Sequence, residues 1–138
     1  MKILDSDHCI AILRGKLDLR TKAKVDEELA VTTVSIAELT HGAHRSQRAA
    51  DNLARLDVLL AALVILPFDE FAARRFGAIK AGLERTGSPI HDLDLQIASI
   101  AIEQDVPLLT HNQKHFARIE NLTLDDWLDQ SQIVNRKS

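Results

Sequence analysis

Aromatic residues are scarce in this chain: its 138 residues include four Phe, one Trp and no Tyr. Cysteine occurs once, at Cys9, which excludes an internal disulfide framework. A single thiol beside apolar neighbours reads as a small buried residue in the helix after the first strand, and a reducing cytoplasm suits it. No apolar run approaches the ~20 residues that span a bilayer. The start, Met1-Lys2-Ile3-Leu4-Asp5, lacks the apolar core of a signal peptide, so no membrane partner is expected. An excess of positive charge is missing too. Seventeen Lys and Arg stand against 20 Asp and Glu, a net charge of −3, which argues against a protein that holds nucleic acid mainly by its charge. An enzyme acting on nucleic acid remains open, because an acidic metal site itself lowers the net charge. Repeats, low-complexity tracts and linkers are also lacking.

What is present is a hydrophobic fraction of 46 %, rich in Ala, Leu and Ile, which suits one compact domain over residues 1–138. Lys2–Leu4 reads as a strand, followed by a helix from Asp7 to Arg14 that Gly15 ends. Leu17–Glu28 is expected to be weakly helical. Leu29–Val34 is a β-branched run and predicts a buried strand. Ser35, with Glu38 three residues on, has the capping-box pattern for the next helix. A helix over Arg48–Ala62, a strand over Leu63–Leu66 stopped by Pro67, and a helix from Asp69 to Arg85 ended by Gly87 and Pro89 follow. A helix then begins at Asp92. Val106–Thr110 reads as a strand, with a turn or short helix through Phe116, an edge strand at Leu122–Leu124, and Trp127 packing the C-terminal end. Strands alternating with helices imply a parallel sheet covered on both faces.

The most informative segment is Asp92–Glu103. At about 100° per residue, Asp92, Gln96, Ser99 and Glu103 share one polar strip. Asp94 points the other way, among Ile97, Ala98 and Ala101, where a carboxylate is costly unless paired, hydrogen-bonded or metal-bound. Other polar residues fall where strands end: Asp5 and Asp7 after the first, Thr110 and Asn112 after the fourth. Glu38 lies in the helix after the second. Ligands of open parallel sheets bind outside those carboxyl ends. Several carboxylates without a matching histidine set suggest Mg²⁺ or Mn²⁺.

Each acid also has an ordinary reading: Asp5 as a helix cap, Glu38 as a capping-box or solvent-facing residue, and Asp92 as a wet helix start. Glu38 and His41 have the Glu-x-x-His spacing of di-metal bundles, but the second motif is absent, and zinc ligation is incomplete. His8, His91, His111 and His115 read as surface or hydrogen-bonding residues.

Ile3-Leu4-Asp5-Ser6-Asp7, Ser35-Ile36-Ala37-Glu38-Leu39 with Gly42, Leu93-Asp94-Leu95-Gln96-Ile97-Ala98, and Thr110-His111-Asn112 followed by Phe116 occur in an order and spacing that resembles the PIN-domain ribonucleases. The likeness is to the VapC-like toxins of type II toxin–antitoxin pairs and runs from Met1 to about Trp127. It includes Leu66-Pro67-Phe68-Asp69 and the Gly87-Ser88-Pro89-Ile90 turn, which carry no chemistry. The resemblance implies a three-layer α/β/α domain with a short, mostly parallel sheet. It also implies Mg²⁺- or Mn²⁺-dependent hydrolysis of structured RNA, transfer RNA among the candidates, leaving a 5′-phosphate and a 3′-hydroxyl. On this likeness Asp5, Glu38 and Asp94 are the catalytic acids: Asp5 and Asp94 hold the metal, and Glu38 binds it directly or through water. Ser6, Asp7, Thr110 and Asn112 form the supporting polar site. Asn112 stands where many relatives have a fourth acid, Asp7 where Asn is usual, Ser6 where Thr is common, and His91 where a small residue is usual. A VapB-like antitoxin and homodimerisation are implied partners. Arg14, Lys16, Arg45 and Arg48 are candidates for contacting the RNA backbone.

Two other readings stand beside it. Asp5-Ser6-Asp7 after a strand also resembles phosphatases of the haloacid-dehalogenase type, although the later acidic pair is missing. A non-catalytic RNA- or protein-binding module of the same fold, impaired at Asn112, is the third.

Overall fold

The computed structural model describes residues 1–128; the expected domain end at residue 138 lies outside them. The elements run β1 (Lys2–Leu4), α1 (Ser6–Leu13), α2 (Leu19–Lys22), β2 (Leu29–Thr32), α3 (Thr33–Arg45), α4 (Ala49–Ala61), β3 (Val64–Leu66), α5 (Glu70–Arg85), α6 (Asp92–Gln104), β4 (Leu108–Leu109), α7 (Gln113–Phe116) and β5 (Leu124–Asp125). The five strands form one sheet in the order β3-β2-β1-β4-β5, and every neighbouring pair is parallel. Ile3 at the centre pairs with Ala30 on one side and Leu108 on the other.

Strand alternation divides the interior into two cores. Ile3, Ala30 and Leu108 point to the layer that contains α5 and α6. Leu4, Val31 and Leu109 point to the opposite layer, with Cys9 of α1, Leu39 of α3 and Leu56 and Leu59 of α4. This is the three-layer α/β/α arrangement, and β-branched and aliphatic strand residues are what a sheet buried on both faces requires. Each fully buried Leu or Ile contributes about 1.5–3 kcal/mol relative to exposure. Cys9 is buried as expected, and burial, with Asp5 and Asp7 nearby, pushes its thiol up to about 12.

Several boundaries differ from expectation, each for a local reason. The segment Leu17–Glu28 is helical only over Leu19–Lys22; Asp18 caps this single turn, and exposed Lys24, Val25 and Asp26 supply no apolar face to extend it. The run Leu29–Val34 stops being a strand at Thr32, because the Thr32 side chain accepts a hydrogen bond from the Ser35 amide and caps α3. Ser35 is therefore a buried first-turn residue and not the cap. The fourth strand is limited to Leu108–Leu109, and the edge strand is Leu124–Asp125 and not Leu122–Leu124.

The helix ends were better marked. Gly15 (φ +70°) and Gly87 (φ +69°) take the left-handed conformation. Around Gly87, its amide bonds the Glu84 carbonyl and the Ser88 amide bonds that of Leu83, which closes α5 as a Schellman motif.

Helix α6 corrects one assignment in the polar strip. Asp92 is exposed and pairs with Lys80 at 3.0 Å, but Ser99 is fully buried. Its hydroxyl donates to the Leu95 carbonyl at 2.7 Å, so the small polar group is satisfied within the helix and can be buried.

Candidate active site

The strand order places the topological switch point between β1 and β4, because the chain leaves β1 toward β2 and β3 and returns on the other side. A crevice at the carboxyl ends of such strands is the expected ligand position. Asp5 follows β1 directly. Its carboxylate accepts from the Ser6 amide at 2.8 Å, capping α1, and from the Thr110 hydroxyl after β4 at 2.8 Å. It thus fulfils the capping reading and also faces the switch point. Asp5 is 7 % exposed. Burial first, then the charge of Asp7, and to a smaller extent that of Asp94, raise its pKa from 3.8 to about 7, against the two hydrogen bonds that lower it.

Asp7, two residues into the same crevice, accepts from the His111 amide at 2.9 Å. The Thr110 hydroxyl, 3.4 Å away, gives its proton to Asp5 at the shorter distance. Asn112 is exposed, and its amide donates to Thr110 Oγ1 at 3.1 Å. From α3, Glu38 does not cap its own helix. It turns toward α1 and accepts from the Ser6 hydroxyl at 3.1 Å.

Asp94 lies in the first turn of α6 with its side chain 24 % exposed, and His115 Nδ1 is 3.8 Å from it. The expectation of a core-facing carboxylate is therefore modified. The helix phase is right, since Ile97, Ala98 and Ala101 beside it are buried, but the first turn emerges at the sheet edge instead of entering the core. Among the described residues no lysine or arginine forms an ion pair with it.

A divalent cation is what these residues would accommodate. A buried carboxyl crowded by two other acids favours its protonated form, and a positive charge opposite it reverses that preference. As placed, no three His, Cys, Asp or Glu among the described residues close into a ligand cage. The donor set is all oxygen.

Glu38 separates two clefts. One, of about 310 Å³, lies between α1, α3 and α4, with Ile10, Leu39 and Leu56 in its apolar lining and Arg14 and Arg55 on it. The other, of about 400 Å³, lies between α3 and α6 and includes His41 and Gln96. Arg14 thus lines a cleft that a site acid also lines, whereas Lys16, Arg45 and Arg48, exposed like Arg14, line neither cleft. The sequence does not single out Arg55, whose guanidinium donates to the Leu13 carbonyl; His115, expected as a surface or hydrogen-bonding residue, is exposed beside Asp94. For His8 the hydrogen-bonding expectation holds and the surface one does not: it is fully buried and bonded through both ring nitrogens. Its place one turn before Ala11 on an apolar helix face was the available signal.

Comparison with known proteins supports the fold. Residues 2–122 match the family model of the PIN domain. The chain is 33 % identical over 130 residues to "Ribonuclease VapC2" of Rickettsia felis, covering 91 % of this chain and 96 % of that protein. It is 30 % identical over 127 residues to "tRNA(fMet)-specific endonuclease VapC" of Shigella flexneri, with the same coverage. Among solved structures, it resembles a chain of DNA-bound VapBC from Salmonella typhimurium with a TM-score of 0.85, 29 % identity, and coverage of 92 % and 99 %. A chain of promoter-bound VapBC2 from Rickettsia felis gives a TM-score of 0.84 at 32 % identity, with coverage of 91 % and 98 %.

Proposed function

The chain belongs to the PIN-domain family, and from that membership we propose that it is a VapC-type ribonuclease that uses a divalent cation and is restrained by a VapB-like antitoxin. The observation that carries the chemistry is the crowding of Asp5, Asp7 and Asp94 at the switch point, with Asp5 raised to about 7. Asp5 and Asp94 would hold Mg²⁺ or Mn²⁺, with Glu38 contributing directly or through water. When bound, the cation supplies Lewis-acid polarisation of the scissile phosphate and favours ionisation of water near neutral pH.

The remaining work falls to the chain's own groups. Thr110 holds one oxygen of Asp5 and the Ser6 amide holds the other, so the carboxylate is oriented before substrate arrives. Ser6 also steadies Glu38. Arg14, which lines the same cleft as Glu38, would meet a phosphate of the RNA backbone. Asn112 brings no charge, which favours one tightly held cation over two.

The phosphatase reading loses its footing here. Residues 2–122 match the PIN-domain family model, and the later acidic pair that such a phosphatase needs is missing from the sequence. The name of the Shigella flexneri relative supports transfer RNA as the substrate class, and the Salmonella typhimurium and Rickettsia felis VapBC complexes support the antitoxin. No helix among the described residues is long and apolar enough to cross a membrane, and the buried thiol of Cys9 suits the cytoplasm.

Purified protein incubated with an RNA pool should cleave it with Mg²⁺ or Mn²⁺ and stop in EDTA. Asp94→Asn should lose cleavage by a hundredfold or more, on the order of a lost catalytic group, while its circular dichroism matches the parent. Parent protein that cleaves no RNA with either cation, or an Asp94→Asn protein of full activity, contradicts the reading. Sequencing RNA ends after brief expression identifies the target.

A further inference from the structure

His8 is the one histidine that the chain encloses completely, and the proposed chemistry leaves it unused. Its ring lies between two distant parts of the fold. Nε2 is 3.0 Å from the backbone nitrogen of Trp127. A backbone N–H is a permanent donor, so Nε2 must present its lone pair. The ring proton then sits on Nδ1, which lies 2.7 Å from Asp7 Oδ1 and donates to it. Asp126 Oδ1 is 3.5 Å from Nε2, but that oxygen accepts from the Leu128 amide at 2.9 Å. Two N–H groups cannot point at each other across 3.0 Å, so this contact does not place a proton on Nε2.

The second oxygen of Asp7 accepts from the His111 amide at 2.9 Å. His111 Nδ1 is in turn 2.8 Å from Asp126 Oδ2. The segment after β5 is therefore tied to the site through His8 and through His111. Lys2 Nζ lies 5.2 Å over the Trp127 ring and holds the same segment from β1.

We infer that His8 is a positioning residue that fixes the Asp7 carboxylate against the backbone of Trp127, so that the chain beyond β5 helps set the geometry of the acidic site. Held from one side by the imidazole and from the other by the His111 amide, Asp7 keeps its charge directed at the crevice that Asp5 and Thr110 share. The activity part of this inference rests on the ribonuclease reading above; the hydrogen-bonding part does not.

Two substitutions separate the two bonds. His8→Asn places an amide near the Nδ1 position, where it can donate to Asp7 but falls short of Trp127. His8→Gln reaches the Nε2 position and can accept from the Trp127 amide, but loses the donor to Asp7. Trp127 is the only Trp and the chain has no Tyr, so intrinsic fluorescence reports this segment alone. His8→Gln should lower kcat about tenfold or more with KM near the parent's, in the range seen when an orienting partner is lost, and keep the parent's emission. His8→Asn should lower kcat severalfold with KM near the parent's, because the Trp127 backbone no longer fixes the group that holds Asp7, and show red-shifted emission with easier acrylamide quenching. Parental kcat in His8→Asn, in His8→Gln or in His8→Leu overturns the inference and leaves His8 as packing. Should the variants fail to fold by circular dichroism, long-range ¹H–¹⁵N spectra of the parent decide. A proton on Nδ1 supports the arrangement and a proton on Nε2 overturns it. If the parent cleaves no RNA, the ribonuclease reading fails, and the tautomer and emission results still decide the bonding role.

Discussion

Replacing Asp5 with Asn should make the metal-free protein more stable at pH 8 while removing its activity. Asp5 is 7 % exposed, and burial, followed by the charge of Asp7, lifts its pKa from 3.8 to about 7. The folded protein therefore retains a proton that the unfolded chain releases. Stability linked to this group is full below about pH 4, declines as pH rises, and is gone once pH passes about 7. Roughly three units correspond to about 4 kcal/mol at ~1.4 kcal/mol each; relaxation around the charge would bring this nearer to about 2. Asn removes the charge and keeps the geometry. Its carbonyl can accept from the Ser6 amide, and the Thr110 hydroxyl can redirect its proton to Asp7 Oδ2, 3.4 Å away. Urea denaturation in EDTA at pH 5 and pH 8 measures the effect. Only the two units between pH 5 and about 7 fall in this window, so the parent should lose about 1–3 kcal/mol between the two, and the variant should lose markedly less. At pH 8, Mg²⁺ should then stabilise the parent by mass action and leave the variant unchanged. A parent whose stability does not fall with pH, or a variant less stable than the parent at pH 8, would refute the reasoning.

Three further outcomes follow from the same structure. Asp92→Asn removes an exposed pair with Lys80 and should cost no more than about 1 kcal/mol with RNA cleavage intact; a loss equal to that of Asp94→Asn would mean the phase of α6 is wrong. Gly87→Ala meets no atom within 4 Å, so its cost is the left-handed backbone alone. Thermal unfolding should show about 1–2 kcal/mol of destabilisation, and an unchanged midpoint would contradict the Schellman assignment. Cys9, buried with its thiol pushed up to about 12, should react with Ellman's reagent only after unfolding; rapid labelling of the native protein would show that the segment opens.

Order, type and approximate position of the main elements were legible because they rest on local signals. Hydrophobic runs marked the central strands, Gly15 and Gly87 marked helix ends, and a 3.6-residue period marked α6. Boundaries failed where a side chain chose between neighbours. Thr32 and Ser35 are both competent caps, and only the position of the chain leaving β2 selects Thr32. Ser99 appeared polar by phase, but a serine can satisfy its hydroxyl on its own helix, so tertiary packing could bury it.

The sequence by itself determined that several acids would gather at strand ends, because residues following parallel strands share one edge whatever their order in the chain. It also separated Asp94 from Asp92, since helix phase is a property of a dozen consecutive residues. Tertiary structure decided what those acids experience. Asp5 is raised to about 7 because β1 is central and buried next to Asp7, and Glu38 meets Ser6 because α3 packs against α1. His8 binds both Asp7 and a backbone amide 119 residues away. Electrostatic environment and long-range hydrogen bonding depend on what the rest of the chain brings alongside, and no local pattern encodes that.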